Sequence, residues 1–188
     1  YRSQTAAPQI TIAEVGFGTG LNAAMAWQYA QFNKISLTLV SCETHPLPQE
    51  TIHLYSDKLS TYDTQLGSFH RQIINADWDL PVQFDSLFTL TKHHGSADSI
   101  QWPLPIHVVW FDAFSPDTSP DCWTEATLSP LIQAMADNAV LTTYCAKGSV
   151  RRLFQSLGLT TERLQGPPGK REMVRGTPMA RPQSEIAR

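Results

Sequence analysis

The sequence predicts an α/β fold with a mostly parallel central sheet, on three observations. Apolar, β-branched runs of strand length alternate with segments of helical spacing along most of the 188 residues. The run PIHVVWFDAFSP (105–116) is apolar almost without interruption, as expected of a strand covered on both faces. The last two strand-like runs, LTTERLQ (159–165) and KREMVRG (170–176), flank GPPG, which predicts an antiparallel hairpin at one edge.

Taken in order, QITIAEVGFG (9–18) reads as a buried strand entering a glycine turn. LNAAMAWQYAQFNK (21–34) has helical spacing, with Leu21, Met25 and Gln28 on one side and Ala24, Trp27 and Ala30 beside them. SLTLVSCE (36–43) is a second strand that ends in an acid. PLPQETIHLYSDKL (46–59) starts with prolines and spaces Ile52, Leu54, Tyr55 and Leu59 as a helix does. LGSFHRQIINADWDLP (66–81) predicts another helix, stopped by Pro81. DSLFTLTKHHG (85–95) and the run from Pro105 follow as strands. TEATLSPLIQAMAD (124–137) predicts a helix with a polar start, NAVLTTYCA (138–146) a strand, and SVRRLFQSLG (149–158) a short helix ending at glycine. One domain is expected, with 177–188 as a tail.

Composition narrows the function. Hydrophobic residues make up 41% and charged residues 16%, a globular balance with enough apolar material for a core. No apolar run is long enough to span a membrane and no signal peptide is read at the start, so no membrane partner is expected. Cys42, Cys122 and Cys145 show no C-x-x-C spacing, and no pair of histidines has H-x-x-x-H spacing, so neither a disulfide framework nor a metal site is expected. Buried free thiols fit a cytoplasmic setting. Net charge is −3 but uneven. Residues 1–146 carry 5 Lys+Arg against 14 Asp+Glu, a balance of −9; residues 147–188 carry 9 against 3, a balance of +6. A basic end on an acidic body fits either a local phosphate-binding surface or a solvated tail.

In parallel sheets ligands sit beyond the carboxyl ends of the strands. Three chemically suggestive stretches end strands here: Glu14–Gly20, Glu43, and Asp112–Pro116. They are expected to face one crevice. EVGFGTGLN (14–22) lacks the third glycine of a dinucleotide fingerprint, because Leu21 stands there, and lacks the Gly-Lys-Ser/Thr of a phosphate loop. A carboxylate before the turn repels pyrophosphate and suits an ammonium. Glu43, 27 residues beyond Gly16, is placed to take two ribose hydroxyls. An ammonium, a ribose and no phosphate describe S-adenosylmethionine. Glu14 is expected at its methionine end, directly or through water. Gly16, Gly18 and Gly20 would let backbone pass beside the nucleoside.

Together with WFDAFSPDTSPDCW (110–123) and GPPGKREMVRG (166–176), EVGFGTGLN resembles the MnmC-type methyltransferases, which methylate the 5-aminomethyl group of tRNA wobble uridines. The resemblance runs from about Ile10 to about Gly176. It implies a Rossmann-like class I methyltransferase fold. It implies cofactor contacts from Glu14, Gly16, Phe17, Gly18, Thr19, Gly20, Asn22, Glu43, Ser96 and Ala97. Ser96 stands where the family usually shows an acid, with Asp98 close by; DTS replaces the lysine and asparagine common between Pro116 and Pro120. The family carries a segment before the first strand, where nine residues precede Ile10. Some members are fused to a flavin-dependent oxidase, so coupling to one is implied; the resemblance covers the methyltransferase part.

The reaction implied is transfer of a methyl group from a sulfonium to a primary amine. Asp112 is the expected catalytic residue: it orients the amine and favours the charge developing on nitrogen. An ordinary carboxylate, with pKa near 4, is a weak base for an amine, so orientation comes first. Phe17, Phe114 and Trp123 are candidates to stack on the base, with Ser115 and Pro116 beside them. Lys170 and Arg171, with Lys147, Arg151 and Arg152, are candidates for contact with phosphates of the anticodon loop. The competing readings are a small-molecule amine methyltransferase, a nicotinamide oxidoreductase, and a non-catalytic RNA-binding relative.

Overall fold

The computed structural model describes residues 8–166, 169 and 171–180. Its centre is an eight-stranded sheet. The strands are β1 (Gln9–Val15), β2 (Ser36–Glu43), β3 (Pro81–Gln83), β4 (Phe88–His94), β5 (Ile106–Phe111), β6 (Met135–Thr143), β7 (Leu159–Gln165) and β8 (Glu172–Pro178), in the order β3-β4-β2-β1-β5-β6-β8-β7. β4, β2, β1, β5 and β6 run parallel. The helices are α1 (Leu21–Asn33), α2 (Gln49–Tyr62), α3 (Thr64–Asn75), α4 (Glu125–Gln133) and α5 (Gly148–Ser156). Among the parallel strands chain order runs outward from β1 in both directions, so the sheet has its switch point between β1 and β5.

The expected α/β architecture stands, and the differences have physical causes. The C-terminal hairpin does lie at one edge, paired over its full length from Leu159–Pro178 to Gln165–Glu172. Its antiparallel member β8 is interior, however: it inserts between β6 and β7. Gly176 packs closely under Leu159 there: a Cβ would stand 3.0 Å from Leu159 Cδ1. The opposite edge carries β3, antiparallel to β4, a strand the sequence reading does not assign. α3 stops at Asn75 instead of reaching Pro81, because the ammonium of Lys92 takes the carbonyls of Ile73 and Ile74 at 3.0 and 3.3 Å. A cation on the terminal carbonyls both satisfies them and complements the helix dipole. α4 likewise ends at Gln133, and Met135 already pairs with Ile106.

The buried face of α1 is Ala23, Ala24, Ala26, Trp27 and Ala30. Met25, on the side shared with Leu21 and Gln28, is 52% exposed. The alanines bring the helix axis close to the sheet, and Trp27 fills the remaining space against Phe69, Phe84 and Phe88. That cluster, with Leu37, Leu39 and Leu90, is the core on one side of the sheet. The other side packs Val109, Phe111, Leu128, Leu131, Leu141 and Phe154.

Candidate active site

The glycine turn is built by backbone. The N–H groups of Gly16 and Phe17 both donate to the Cys42 carbonyl, at 3.0 and 3.1 Å, and the Asp112 N–H donates to the Val15 carbonyl at 2.9 Å. These bonds tie together the ends of β1, β2 and β5. Gly16 has φ +97°, and a Cβ there would lie 2.9 Å from the Asp112 carbonyl oxygen. Only glycine permits that approach. Gly18 differs: φ is +53° and nothing stands within 4 Å of a Cβ built there, so its open side faces free space. Gly20 packs on the Phe17 ring and begins α1.

Beyond the turn lies a crevice of about 690 Å³. Among the expected site residues, Gly16, Phe17, Gly18, Thr19, Asn22, Glu43, Ser96, Ala97, Asp112, Phe114 and Ser115 line it. The three strand ends therefore do face one space. Glu43 accepts from the Gly18 N–H through Oε2 and from the His45 N–H through Oε1, both at 3.0 Å. Each oxygen retains acceptor capacity, the arrangement that two vicinal hydroxyls require. The Ser96 hydroxyl is bonded to the Asp98 carboxylate, so the acid sits one residue behind the crevice wall.

Several expectations need correction. Glu14 does not line the crevice. It is fully buried beneath it, with Oε1 accepting from Asn22 Nδ2 at 2.8 Å and Oε2 from Ser41 Oγ at 2.6 Å. Burial raises its pKa to about 7, against the lowering effect of those two donors; the nearby Asp112 and Glu43 charges raise it further. Glu14 thus reaches the crevice through Asn22. Trp123 is not a base-stacking wall: it is 8% exposed, its Nε1 donates to the Phe114 carbonyl at 2.7 Å, and its ring packs edge-on against Phe111. The Phe17 side chain is also core, 4% exposed against Trp78. Phe114, 74% exposed, is the aromatic at the mouth. Pro116 and Arg171 lie off the crevice wall, and Lys170 lies outside the described residues.

Sequence reasoning missed the contribution of β6. Tyr144, Cys145 and Lys147 follow that strand and line the crevice. The rule that ligands meet strand carboxyl ends applies to this fifth parallel strand as well, so the signal was available. Cys42 and Cys122 line the crevice too, and burial pushes the Cys42 thiol up to about 12 and Cys122 upward, which keeps both protonated. Also missed were two buried polar supports under the turn. His70 Nε2 donates to the Thr19 carbonyl at 2.7 Å, while its Nδ1 meets the Ser56 hydroxyl at 2.7 Å. Lys92 Nζ lies 5.4 Å from the Phe17 ring centroid and 4.7 Å from that of Trp78.

Residues 65–179 match the family model of an S-adenosyl-L-methionine-dependent methyltransferase. The chain belongs to that methyltransferase family. Its cofactor is S-adenosyl-L-methionine, and the crevice suits it: the volume, the spare acceptors of Glu43 and the open side of Gly18 are what a nucleoside with a free ribose needs. The methyltransferase is similar to two curated proteins called tRNA 5-methylaminomethyl-2-thiouridine biosynthesis bifunctional protein MnmC. It is 31% identical to that of Pseudomonas fluorescens (strain Pf0-1), over 94% of this chain and 28% of the relative. It is 30% identical to that of Paraburkholderia phymatum, over 88% of this chain and 27% of the relative. The chain thus spans under a third of those relatives. Among solved structures it resembles MNMC2 from Aquifex aeolicus, with a TM-score of 0.70 and 22% identity over 93% of this chain and 56% of that one. An SAH-bound methyltransferase from Podospora anserina shares the fold at TM-score 0.51 and 10% identity, over 90% of this chain and 72% of that one. Among the described residues no helix is long and apolar enough to cross a membrane, and no group of three or more His, Cys, Asp or Glu is placed to hold a metal.

Proposed function

We propose that this methyltransferase methylates the 5-aminomethyl nitrogen of the tRNA wobble uridine, giving 5-methylaminomethyl-(2-thio)uridine. The observation that carries the reading is the position of Asp112. It lines both the cofactor crevice and a smaller adjoining pocket, so it stands where donor and acceptor meet. The names of the relatives supply the acceptor.

When bound, the cofactor would supply an electrophilic methyl group to the neutral amine, and the proton the nitrogen gives up would pass to solvent. The carboxylate of Asp112 accepts an N–H bond from the amine, sets the lone-pair direction and stabilises the charge that develops. Glu43 would hold the ribose, Asn22, backed by the buried Glu14, the methionine end, and Ser96 and Ala97 would border the adenine. Lys147, Arg151 and Arg152 at the start of α5 and Arg171 in the hairpin serve the phosphates of the anticodon loop.

A second reading, methylation of a small free amine, is favoured by one observation. Lys147, Arg163 and Arg175 are each paired with an acid, Asp117, Glu172 and Glu162 respectively, which reduces the cationic surface. Labelled S-adenosylmethionine with tRNA bearing the 5-aminomethyl group, followed by nucleoside analysis, decides between them. Label in 5-methylaminomethyluridine that falls as salt rises supports tRNA. Transfer only to free amines, independent of salt, overturns it.

A further inference from the structure

We propose that a cavity of about 390 Å³, between the glycine turn, the start of α2 and the end of β4, binds a small carboxylate with an apolar ring and acts on the cofactor site through the turn. The reading depends on the family's cofactor and not on the acceptor proposed above. Phe17 and Gly18 line both this cavity and the cofactor crevice, so the turn is a wall shared by two spaces. The apolar lining includes Leu47, Ile52, Ile74 and Trp78. Lys92, His94 and Gln49 supply the polar part. An apolar cavity with a few placed polar groups is the usual form of a small-molecule site.

Lys92 calls for an anion. Its side chain is 1% exposed, and among the described residues no carboxylate lies within ion-pair distance of it. A buried ammonium is normally matched by an opposite charge. Here two of its three N–H groups take the carbonyls of Ile73 and Ile74, and Phe17 and Trp78 turn their rings to it. Carbonyl dipoles and rings stabilise the charge without neutralising it. Burial lowers the Lys92 pKa to about 8, against the raising effect of Asp77, which is exposed. At neutral pH the group is therefore still mostly an ammonium, and it lacks a counter-ion. Phe17, Ile74 and Trp78, which surround Nζ, all line the cavity, so the charge sits at that wall.

A second wall favours the same ligand. α2 begins at Gln49 after Pro48, and no side chain of Pro48 caps its first N–H groups. Both residues line the cavity, so the positive end of the helix dipole opens toward it. Glu50, in that first turn, is exposed, where solvent screens it. One ammonium and one helix end suit a single negative charge. No arginine lines the cavity to take a phosphate with two parallel bonds, and the apolar lining asks for a ring. The coupling follows from the shared wall. The Gly18 N–H donates to Glu43 Oε2 at 3.0 Å. A ligand packed on Phe17 and Gly18 from the far side holds that N–H in place, which tightens the grip of the crevice on the cofactor. Linkage makes the effect mutual.

Calorimetry on the full chain tests this with 1-naphthoate, its uncharged analogue 1-naphthamide, and inorganic phosphate, each with and without S-adenosylhomocysteine. 1-Naphthoate is expected to saturate a single site, at least about tenfold tighter than either of the others. Saturating 1-naphthoate should lower the S-adenosylhomocysteine Kd about fivefold, and S-adenosylhomocysteine should tighten 1-naphthoate by the same factor. Two variants locate the site. Leu47→Glu, at a residue 37% exposed, sets a like charge at the mouth, and Lys92→Met removes the ammonium. Each should weaken 1-naphthoate at least about tenfold. Leu47→Glu alone should leave the S-adenosylhomocysteine Kd within about twofold of the parent chain. Lys92→Met also frees two carbonyls at the end of α3, so if it misfolds, Leu47→Glu decides. Absence of 1-naphthoate binding, equal binding of the amide or of phosphate, or unaltered 1-naphthoate affinity in a folded variant overturns the proposal. So does displacement of S-adenosylhomocysteine by 1-naphthoate, which would put the ligand in the cofactor crevice, and so does an unchanged S-adenosylhomocysteine Kd.

Discussion

Asp112→Asn keeps the shape of the side chain and removes its charge. Loss of one preorganised electrostatic contact typically costs about 10²–10³ in rate. Single-turnover transfer should fall by that order while the S-adenosylhomocysteine dissociation constant stays within a few fold; unaltered turnover removes the role given to Asp112. Glu14 makes a different prediction. Its folded pKa of about 7 exceeds its ordinary value of 4.5, so the folded protein holds this proton more tightly than the unfolded chain does. The stabilisation is therefore complete below about pH 4.5 and is lost as pH rises through about 7. The loss amounts to about 3 kcal/mol on an order-of-magnitude scale. Glu14→Gln mimics the protonated form, so its urea midpoint relative to the parent chain should rise between pH 5 and pH 8. A difference that does not change with pH refutes the assigned burial. The presence of Glu14 in a ligand motif was legible in the sequence. Its depth was not, because burial depends on Ser41 and Asn22 closing over it from β2 and α1.

At the scale of elements, the glycine turn separates strain from access. Gly16→Ala meets both a left-handed φ and the Asp112 carbonyl at 2.9 Å, and should destabilise the fold by about 3 kcal/mol. Gly18→Ala meets only the φ cost, about 1 kcal/mol, yet its methyl group would enter the open side where the proposed cofactor site lies. Thermal unfolding and cofactor titration should therefore rank the two in opposite orders; a larger stability loss at Gly18 contradicts the geometry. His70→Ala leaves the Thr19 carbonyl and the Ser56 hydroxyl without their ring partner, so amide exchange across the turn should speed up and cofactor affinity should fall roughly tenfold. If exchange at the turn is unchanged, His70 is a core histidine without influence on the loop. The helical spacing of α3 was readable, but its end was not: Lys92, on a strand seventeen residues beyond Asn75, terminates it.

Across the whole molecule, the outward winding of the parallel strands from β1 in both directions opens the crevice at the switch point, and the insertion of β8 beside β6 brings Met173 into the smaller pocket with Asp112. The sequence by itself determined the α/β class, the parallel sheet, the hairpin and the glycine turn. These follow from local periodicity and from residues such as Gly16 whose backbone needs are intrinsic. It also determined that Glu43, Asp112 and the turn share one crevice, since parallel strands deliver their ends to one side. Tertiary structure alone decided that Trp123 is core, that Glu14 lies buried behind Asn22, and that β8 is interior. Each of these is set by which distant strand or helix packs alongside. That information resides in long-range register and burial, which no local window of the chain contains.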